Sequence, residues 1–116
     1  MNLLEKNELP QDFVYPNEFL KIVEQGLIDF DPWVIMSGEY LKTRYDGLRK
    51  RYPKRLLVPF ARRIDNDDIA CWDINIPNKV VTIHDFASEN WEQRKEYETF
   101  WVWLRQAVDD MIENDN

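Results

Sequence analysis

The feature that most constrains the fold is a run of three apolar segments joined by short polar connections. They read RLLVPFARR at 55–63, IACWDI at 69–74 and KVVTIHDF at 79–86. Each is rich in the β-branched and aromatic residues that strands favour. The first segment is apolar at consecutive positions, which predicts a strand covered on both faces. Connections this short join antiparallel neighbours, so the sequence predicts a β-meander.

Prolines and asparagines in this region indicate where a strand is irregular or ends in a turn. Pro59 cannot donate a ladder hydrogen bond, so it marks either an edge strand or a bulge. In the connection NIPN at 75–78, Pro77 presets φ and Asn78 tolerates a left-handed backbone, which predicts a turn.

The connection DNDD at 65–68 is open to three interpretations. Short Asx side chains bond to nearby backbone groups, which favours a hairpin turn. An acidic patch facing a partner and a metal site are the alternatives. A calcium loop counted from Asp65 needs Gly at its sixth position and Glu at its twelfth. Ala70 and Ile76 stand there, so that pattern fails.

Two helices are predicted before the strands. Asn17 can cap the first and Gly26 can end it, and Ser37 can cap the second. The second helix, 38–52, ends at Pro53 and carries one apolar stripe made of Leu41, Tyr45, Leu48 and Tyr52. The intervening segment 27–36 reads as irregular and apolar, with Trp33 as a core anchor.

The last predicted element is a helix of about 23 residues that begins at an Asn90 cap. Its apolar face, widened by Trp103 and Ala107, consists of Tyr97, Phe100, Trp101, Leu104, Val108, Met111 and Ile112. These elements predict one α+β domain over residues 1–116. An antiparallel sheet with a meander of three or more strands is backed by helices and followed by the long C-terminal helix. Residues 1–12 are predicted to be a loosely ordered segment.

Composition narrows the class of protein. Apolar residues make up 44% of the chain and aromatic residues 14%, which excludes a disordered chain. The single cysteine, Cys71, rules out an internal disulfide and suits a reducing compartment. The N-terminal residues lack the pattern of a signal peptide, and no apolar run approaches the ~18 residues of a membrane span. We therefore expect a cytoplasmic protein without membrane contact.

Charge is unevenly distributed along the chain, whose net charge is −7. Residues 42–63 carry one acid, Asp46, against nine bases, so their net charge is +8. Such a block either contacts phosphates or forms a solvated helix face that runs into a strand edge. Since the overall charge opposes nucleic acid at long range, we do not expect a nucleic-acid partner. The nine bases are Lys42, Arg44, Arg49, Lys50, Arg51, Lys54, Arg55, Arg62 and Arg63.

Catalytic motifs are absent from the sequence. His84 and Asp85 are neighbours on a predicted strand, so their side chains point to opposite faces. A Cys71–His84 pair across adjacent strands stays open, although a thiol among apolar neighbours is usually inert. One Cys and one His cannot build a zinc site within the chain. We expect no catalytic residue, metal or cofactor, and a protein that is not an enzyme; an undetected enzyme is the remaining alternative.

The segment LLVPFARRIDNDDIACWDI followed by VVTIHDF resembles the signature of the SUKH superfamily, the Smi/Knr type. YETFWVWLRQAVDDMIE is similar to the closing helix of that family, and LPQDFVYPNEFLKIVEQG is similar to its opening helix. The resemblance covers most of residues 13–113. Two features depart from the family: a basic helix precedes the first strand, and the turn is rich in Asp where Gly is common.

The resemblance implies an α+β domain whose bacterial members are often immunity proteins that bind and neutralise polymorphic toxins, many of them nucleases. On that basis we expect a protein that binds a toxin without chemistry. An acidic surface suits a cationic nuclease. The residues predicted to bind the partner are Asp65, Asp67, Asp68, Asp73, Asp85, Trp91 and Glu92.

Two alternatives stay open at this point. The domain could be a regulatory or scaffold module with a host-protein partner, as eukaryotic relatives of the SUKH superfamily are. The docking face could also be the basic helix between Lys42 and Arg55 in place of the acids, which would favour an acidic partner. The sequence leaves the toxin's identity and the oligomeric state open.

Overall fold

A six-stranded antiparallel sheet with its strands in chain order forms the centre of the protein, seen in a computed structural model that describes residues 1–115. The strands are β1 (Asp29–Phe30), β2 (Trp33–Ile35), β3 (Leu57–Arg63), β4 (Asp68–Asp73), β5 (Val80–His84) and β6 (Gln93–Tyr97). The helices are α1 (Asn17–Glu24), α2 (Gly38–Arg51) and α3 (Phe100–Asn114). The predicted α+β architecture, with a meander and a C-terminal helix, is confirmed.

The three central strands are β3, β4 and β5, as predicted from the apolar segments. Pro59 lies in β3, which is bonded on both sides, so it does not mark an edge. The pairing with β4 shifts between Pro59 and Ala61, which makes the site a β-bulge. Asn78 has φ of 71°, the left-handed conformation predicted for the turn before β5.

The sheet is covered on both faces, as the apolar β3 sequence predicts. Side chains alternate along β4, so Trp72 and Asp73 point to opposite faces. On the Trp72 face lie α1 and α3, whose Phe19 and Phe100 rings are 5.0 Å and 6.3 Å from the Trp72 ring. On the Asp73 face lies α2, which buries the predicted stripe Leu41, Tyr45, Leu48 and Tyr52.

Aromatic rings fill the core between the sheet and α3. The Phe60 ring centroid lies 4.3 Å from that of Trp72 and 4.8 Å from that of Trp103. Trp33 packs edge-on against Trp103 at 5.5 Å, and its indole N–H donates to Asp110 at 2.9 Å. Trp33 is therefore the core anchor that the sequence predicts, and much of the aromatic content is structural.

The predicted start of the last helix is wrong. Asn90 lies in a loop with φ of 77°, and residues 93–97 form the edge strand β6 instead of helix. The helix begins at Phe100, where the Thr99 side chain accepts a hydrogen bond from the N–H of Val102 at 3.2 Å. Pairing with the free edge of β5 outweighs the helix propensity of the sequence QRKEY.

The buried face of α3 also differs from the prediction. Phe100, Trp103 and Ala107 are buried, whereas Trp101 is 43% exposed. The residues predicted only to widen the apolar face therefore form its centre. Leu104, Val108 and Met111 are partly buried against the core.

Segment 27–36, predicted to be irregular, forms the hairpin β1–β2 around Asp31 and Pro32. β2 then pairs with β3, Trp33 opposite Arg63, which extends the meander. Neither predicted side-chain cap forms: α1 is preceded by Pro16, and Ser37 makes no side-chain capping bond.

Residues 1–12, predicted to be a loosely ordered segment, make specific contacts with the rest of the domain. Leu4 is buried, and its N–H donates to the hydroxyl of Tyr15 at 3.2 Å. The carboxylate of Glu8 binds Lys42 of α2 at 2.7 Å. The segment therefore packs against the core although it contains no regular helix or strand.

Candidate functional site

Arginines of α2 point inward and bind a buried carboxylate at the end of β5. Arg51 donates from Nε to Oδ1 of Asp85 at 2.7 Å and from Nη2 to Oδ2 at 2.7 Å. Arg44 adds a third bond, Nη1 to Oδ2 at 2.8 Å. Asp85 is 0% exposed. Charge-assisted, bidentate pairing of this kind is the strongest class of side-chain hydrogen bond.

Arg55, just beyond α2, forms a second network of the same kind. Its Nη1 donates to Oε2 of Glu92 at 2.8 Å, and its Nη2 donates to Oδ2 of Asp73 at 3.1 Å. Asp73 and Glu92 are 6% and 5% exposed. One guanidinium thus joins the end of β4 to the residue that precedes β6.

Asp85 and Glu92 stay charged because their hydrogen-bond partners outweigh the cost of burial. Burial alone raises the pKa of Asp85, but hydrogen bonds from Arg51 and Arg44 outweigh it, and the pKa lies below its ordinary value. The pKa of Glu92 is lowered in the same way, because the bonds from Arg55 outweigh its burial. Asp85 and Glu92 are therefore ionised at neutral pH.

Asp85 and Glu92 flank the loop of residues 86–91, which joins β5 to β6. The buried hydroxyl of Tyr52 donates to the carbonyl of Ala87 at 2.8 Å. Within the loop, the N–H of Trp91 donates to the carbonyl of Ser88 at 2.9 Å. The loop is thus anchored at both ends by ion pairs and near its start by Tyr52, the residue that follows α2.

This anchored loop presents two large aromatic side chains to solvent. Phe86 is 62% exposed and Trp91 is 82% exposed. Phe86 has φ of 69°, a conformation that is rare for a bulky residue and costs about 1–3 kcal/mol. The guanidinium of Arg51 lies 4.1 Å from the Phe86 ring centroid, a cation–π contact that holds the ring in place.

The β3–β4 connection lies at the same end of the sheet, and the predicted hairpin turn is confirmed. The N–H of Asp68 donates to Oδ1 of Asn66 at 2.8 Å, the local Asx bond that favours such turns. The N–H of Asp85 donates to the carbonyl of Asp67 at 2.9 Å. Turn 64–67 and loop 86–91 are therefore adjacent.

The seven residues predicted to bind a partner divide into two groups. Asp73, Asp85 and Glu92 are buried in the arginine networks, so a partner cannot reach them and their assignment to the docking surface is corrected. The sequence did not reveal that these acids are buried, because the arginines that bind them are distant in sequence. The other four reach the surface to different degrees: Asp65, Asp67, Asp68 and Trp91.

The exposed acids are themselves largely paired. Asp65 binds Nε of Arg63 at 2.8 Å. Asp68 accepts from Nε of Arg94 at 3.3 Å and contacts Nδ1 of His84 at 3.0 Å. An acidic docking patch is thereby reduced in charge.

Ion pairs also reduce the net charge of the predicted basic face. Six of its nine bases have a carboxylate within ion-pair distance, among them Lys42, Arg55 and Arg63. Arg62 instead lies 4.8 Å over the ring of Tyr40.

A signal for the inward arginines was present in the sequence. Arg44 and Arg51 lie seven residues apart, which keeps them on one face of α2. No sequence signal marked Phe86, which was included in a strand.

The Cys71–His84 pair left open by the sequence does not form. Cys71 lies opposite Val81, and His84 lies opposite Asp68, so the strand pleat sends the two side chains to opposite faces. Cys71 is fully buried, and that burial raises the pKa of its thiol well above the ordinary value. A buried, protonated thiol is a poor nucleophile.

Within residues 1–115, no group of three or more His, Cys, Asp or Glu side chains is arranged to hold a metal ion. Over the same residues, no helix combines the length and the apolar character needed to cross a membrane. Neither a family model, nor a curated protein, nor a solved structure matches the chain.

Proposed function

We propose that the chain is a non-catalytic protein-binding domain that serves as an immunity protein and neutralises a toxin by occluding it. The observation that carries this proposal is the anchored loop 86–91, which displays Phe86 and Trp91. Aromatic side chains dominate binding hot spots, and a loop that is already ordered loses little entropy when it binds. Backbone strain at Phe86 is typical of functional positions.

The resemblance of residues 56–74 and 80–86 to the SUKH signature supports the toxin as the class of partner. In this proposal the protein acts in the cytoplasm, where a nuclease toxin would meet its substrate. Phe86 and Trp91 contact the toxin, joined by Asp65 and Asp67 of the adjacent turn. Asp85 and Glu92 act indirectly, since they hold the loop in its binding conformation.

The test begins with capture of partners by the immobilised protein from a nuclease-treated lysate of its own organism, made while toxins are expressed. Each captured protein is then expressed in a naive host, alone and together with this chain. We expect one captured protein to be toxic alone and harmless in the presence of the chain. Recovery of a non-toxic regulatory complex in its place would overturn the immunity role in favour of the scaffold alternative.

Two variants test which surface binds the toxin. A chain with Phe86→Ser and Trp91→Ser should fail to rescue growth although it folds, because both aromatic contacts are lost. Val14→Ser is the matched control, since Val14 is 78% exposed but lies near the N-terminus. Rescue by the double variant that equals rescue by the wild type would show that loop 86–91 is not the docking surface.

A further inference from the structure

We infer that the partner presents an acidic segment with an apolar side chain, and that this segment docks in a groove beside Phe86. The groove, called here the Phe86 groove, has a volume of about 200 Å³ and is lined by Tyr40, Thr43, Arg44, Arg51 and Phe86. The inference rests on the proposed protein-binding function and specifies the chemistry of the partner.

The walls of the groove are aromatic, with arginine between them. Phe86 and Tyr40 are 62% and 44% exposed. The guanidinium of Arg44 lies 5.6 Å from the Phe86 ring centroid and 5.4 Å from that of Tyr40. An apolar side chain entering the groove would therefore contact ring faces on both sides and cover the arginines from water.

The groove carries a local excess of positive charge. Arg44 and Arg51 share one carboxylate, that of Asp85. Arg62 adds a third cation where it covers the Tyr40 ring. Arg44, Arg51 and Arg62 thus supply three cations at the groove, and two of them share the single carboxylate of Asp85. The side chain of Arg51 binds Asp85 through Nε and Nη2 and is still 28% exposed, so its charge can attract an incoming carboxylate.

The size of the groove selects a side chain over a small molecule. Small-molecule pockets usually enclose about 300–1,000 Å³, and this groove is smaller.

Arginine with exposed aromatic rings also suits nucleic-acid bases. The overall negative charge repels a polyanion, however, whereas one acidic side chain responds mainly to charges within about 8–10 Å. A short acidic protein segment is therefore the occupant that the charges favour.

A selection from a random peptide library on the immobilised full chain tests this chemistry without knowledge of the partner. We expect the enriched peptides to combine Asp or Glu with an aromatic or aliphatic residue. Synthetic copies should bind at least about tenfold more weakly to Arg62→Glu, since like charges replace an attraction. Their binding should also weaken at high salt. Val14→Ser, checked for folding alongside Arg62→Glu by circular dichroism, should bind them as the wild type does.

Other outcomes overturn the inference. Enriched peptides that are basic, or that bind Arg62→Glu unchanged, would place protein binding elsewhere and leave the immunity proposal standing. A labelled oligothymidine that binds more tightly than the peptides and loses affinity in Arg62→Glu would assign the groove to nucleic acid. Failure to enrich any peptide would reject an acidic segment as the occupant. The rescue experiment judges the immunity role separately, because it uses the whole toxin.

Discussion

Arg51 of α2 binds Asp85 through two parallel hydrogen bonds, each 2.7 Å long, across 34 residues of sequence. Asp85 is the first residue after β5, and Phe86 follows it directly. The pair therefore connects the helix on one face of the sheet to the start of the exposed loop. A stable ion pair in the interior thus determines where an aromatic side chain stands on the surface.

Removal of the Asp85 charge should destabilise the fold strongly. Asp85→Asn keeps the shape of the side chain but leaves Arg44 and Arg51 without their buried anion. Breaking such a pair costs about 3–5 kcal/mol, and the lower value applies because both arginines are partly exposed. We expect a loss of about 3 kcal/mol in the free energy of unfolding, measured by urea denaturation.

The matched control for this prediction is Asp67→Asn at the adjacent turn. Asp67 is exposed, so its change should alter the free energy of unfolding by less than about 0.5 kcal/mol. Equal effects of the two substitutions would show that the Asp85 network does not stabilise the fold.

Acid should weaken the protein through the same groups. The ordinary pKa values are 3.8 for Asp85 and 4.5 for Glu92, and the folded protein lowers both. The ordinary pKa values apply to the unfolded chain, so the ionised Asp85 and Glu92 contribute fully to stability when the pH lies above them. This contribution is lost as the pH falls through about 4.5 towards the lower pKa values of the folded protein. Unfolding free energies from about pH 6 to about pH 3 should fall less steeply in Asp85→Asn and in Glu92→Gln. Curves parallel to the wild type would contradict this origin of acid sensitivity.

Because the backbone is strained at Phe86, we expect the glycine variant there to be more stable than the alanine variant, the reverse of the usual order. At φ of 69°, a Cβ atom costs about 1–2 kcal/mol, which Gly avoids. Phe86→Gly should therefore be more stable than Phe86→Ala by ~0.5–1 kcal/mol. Trp91 does not have positive φ, so there Gly should be the less stable of the two. Urea denaturation of the four variants measures both orders, and an alanine preference at both positions would refute the strain at Phe86.

The start of α3 at Phe100 predicts a cap at Thr99. Thr99→Ala should cost about 1 kcal/mol, because the N–H of Val102 loses its acceptor. Thr99→Ser keeps the hydroxyl oxygen and should stay within a few tenths of the wild type, on the order of 0.3 kcal/mol. Thermal unfolding followed by circular dichroism distinguishes the two variants. Equal stability of the alanine and serine variants would argue against this helix start.

Local patterns predicted much of the fold because they need no distant information. The apolar runs at β3, β4 and β5, the stripe Leu41–Tyr52 on α2 and the left-handed Asn78 were all read from neighbouring residues. QRKEY at 93–97 shows where local reading failed. Its residues favour helix, but the open edge of β5 offers backbone hydrogen bonds that only the assembled sheet supplies.

The sequence by itself determined the α+β class, the meander, the position of α2 and the nature of the Asx-rich turn, since strand and helix periods are properties of adjacent residues. Only the tertiary structure decided which acids face solvent. Asp67 and Asp85 are the same residue type and both lie next to a strand end at the same end of the sheet, yet one is exposed and the other buried. The difference arises because α2 brings Arg44 and Arg51 over the end of β5, and a carboxylate enters the interior only where such partners meet it.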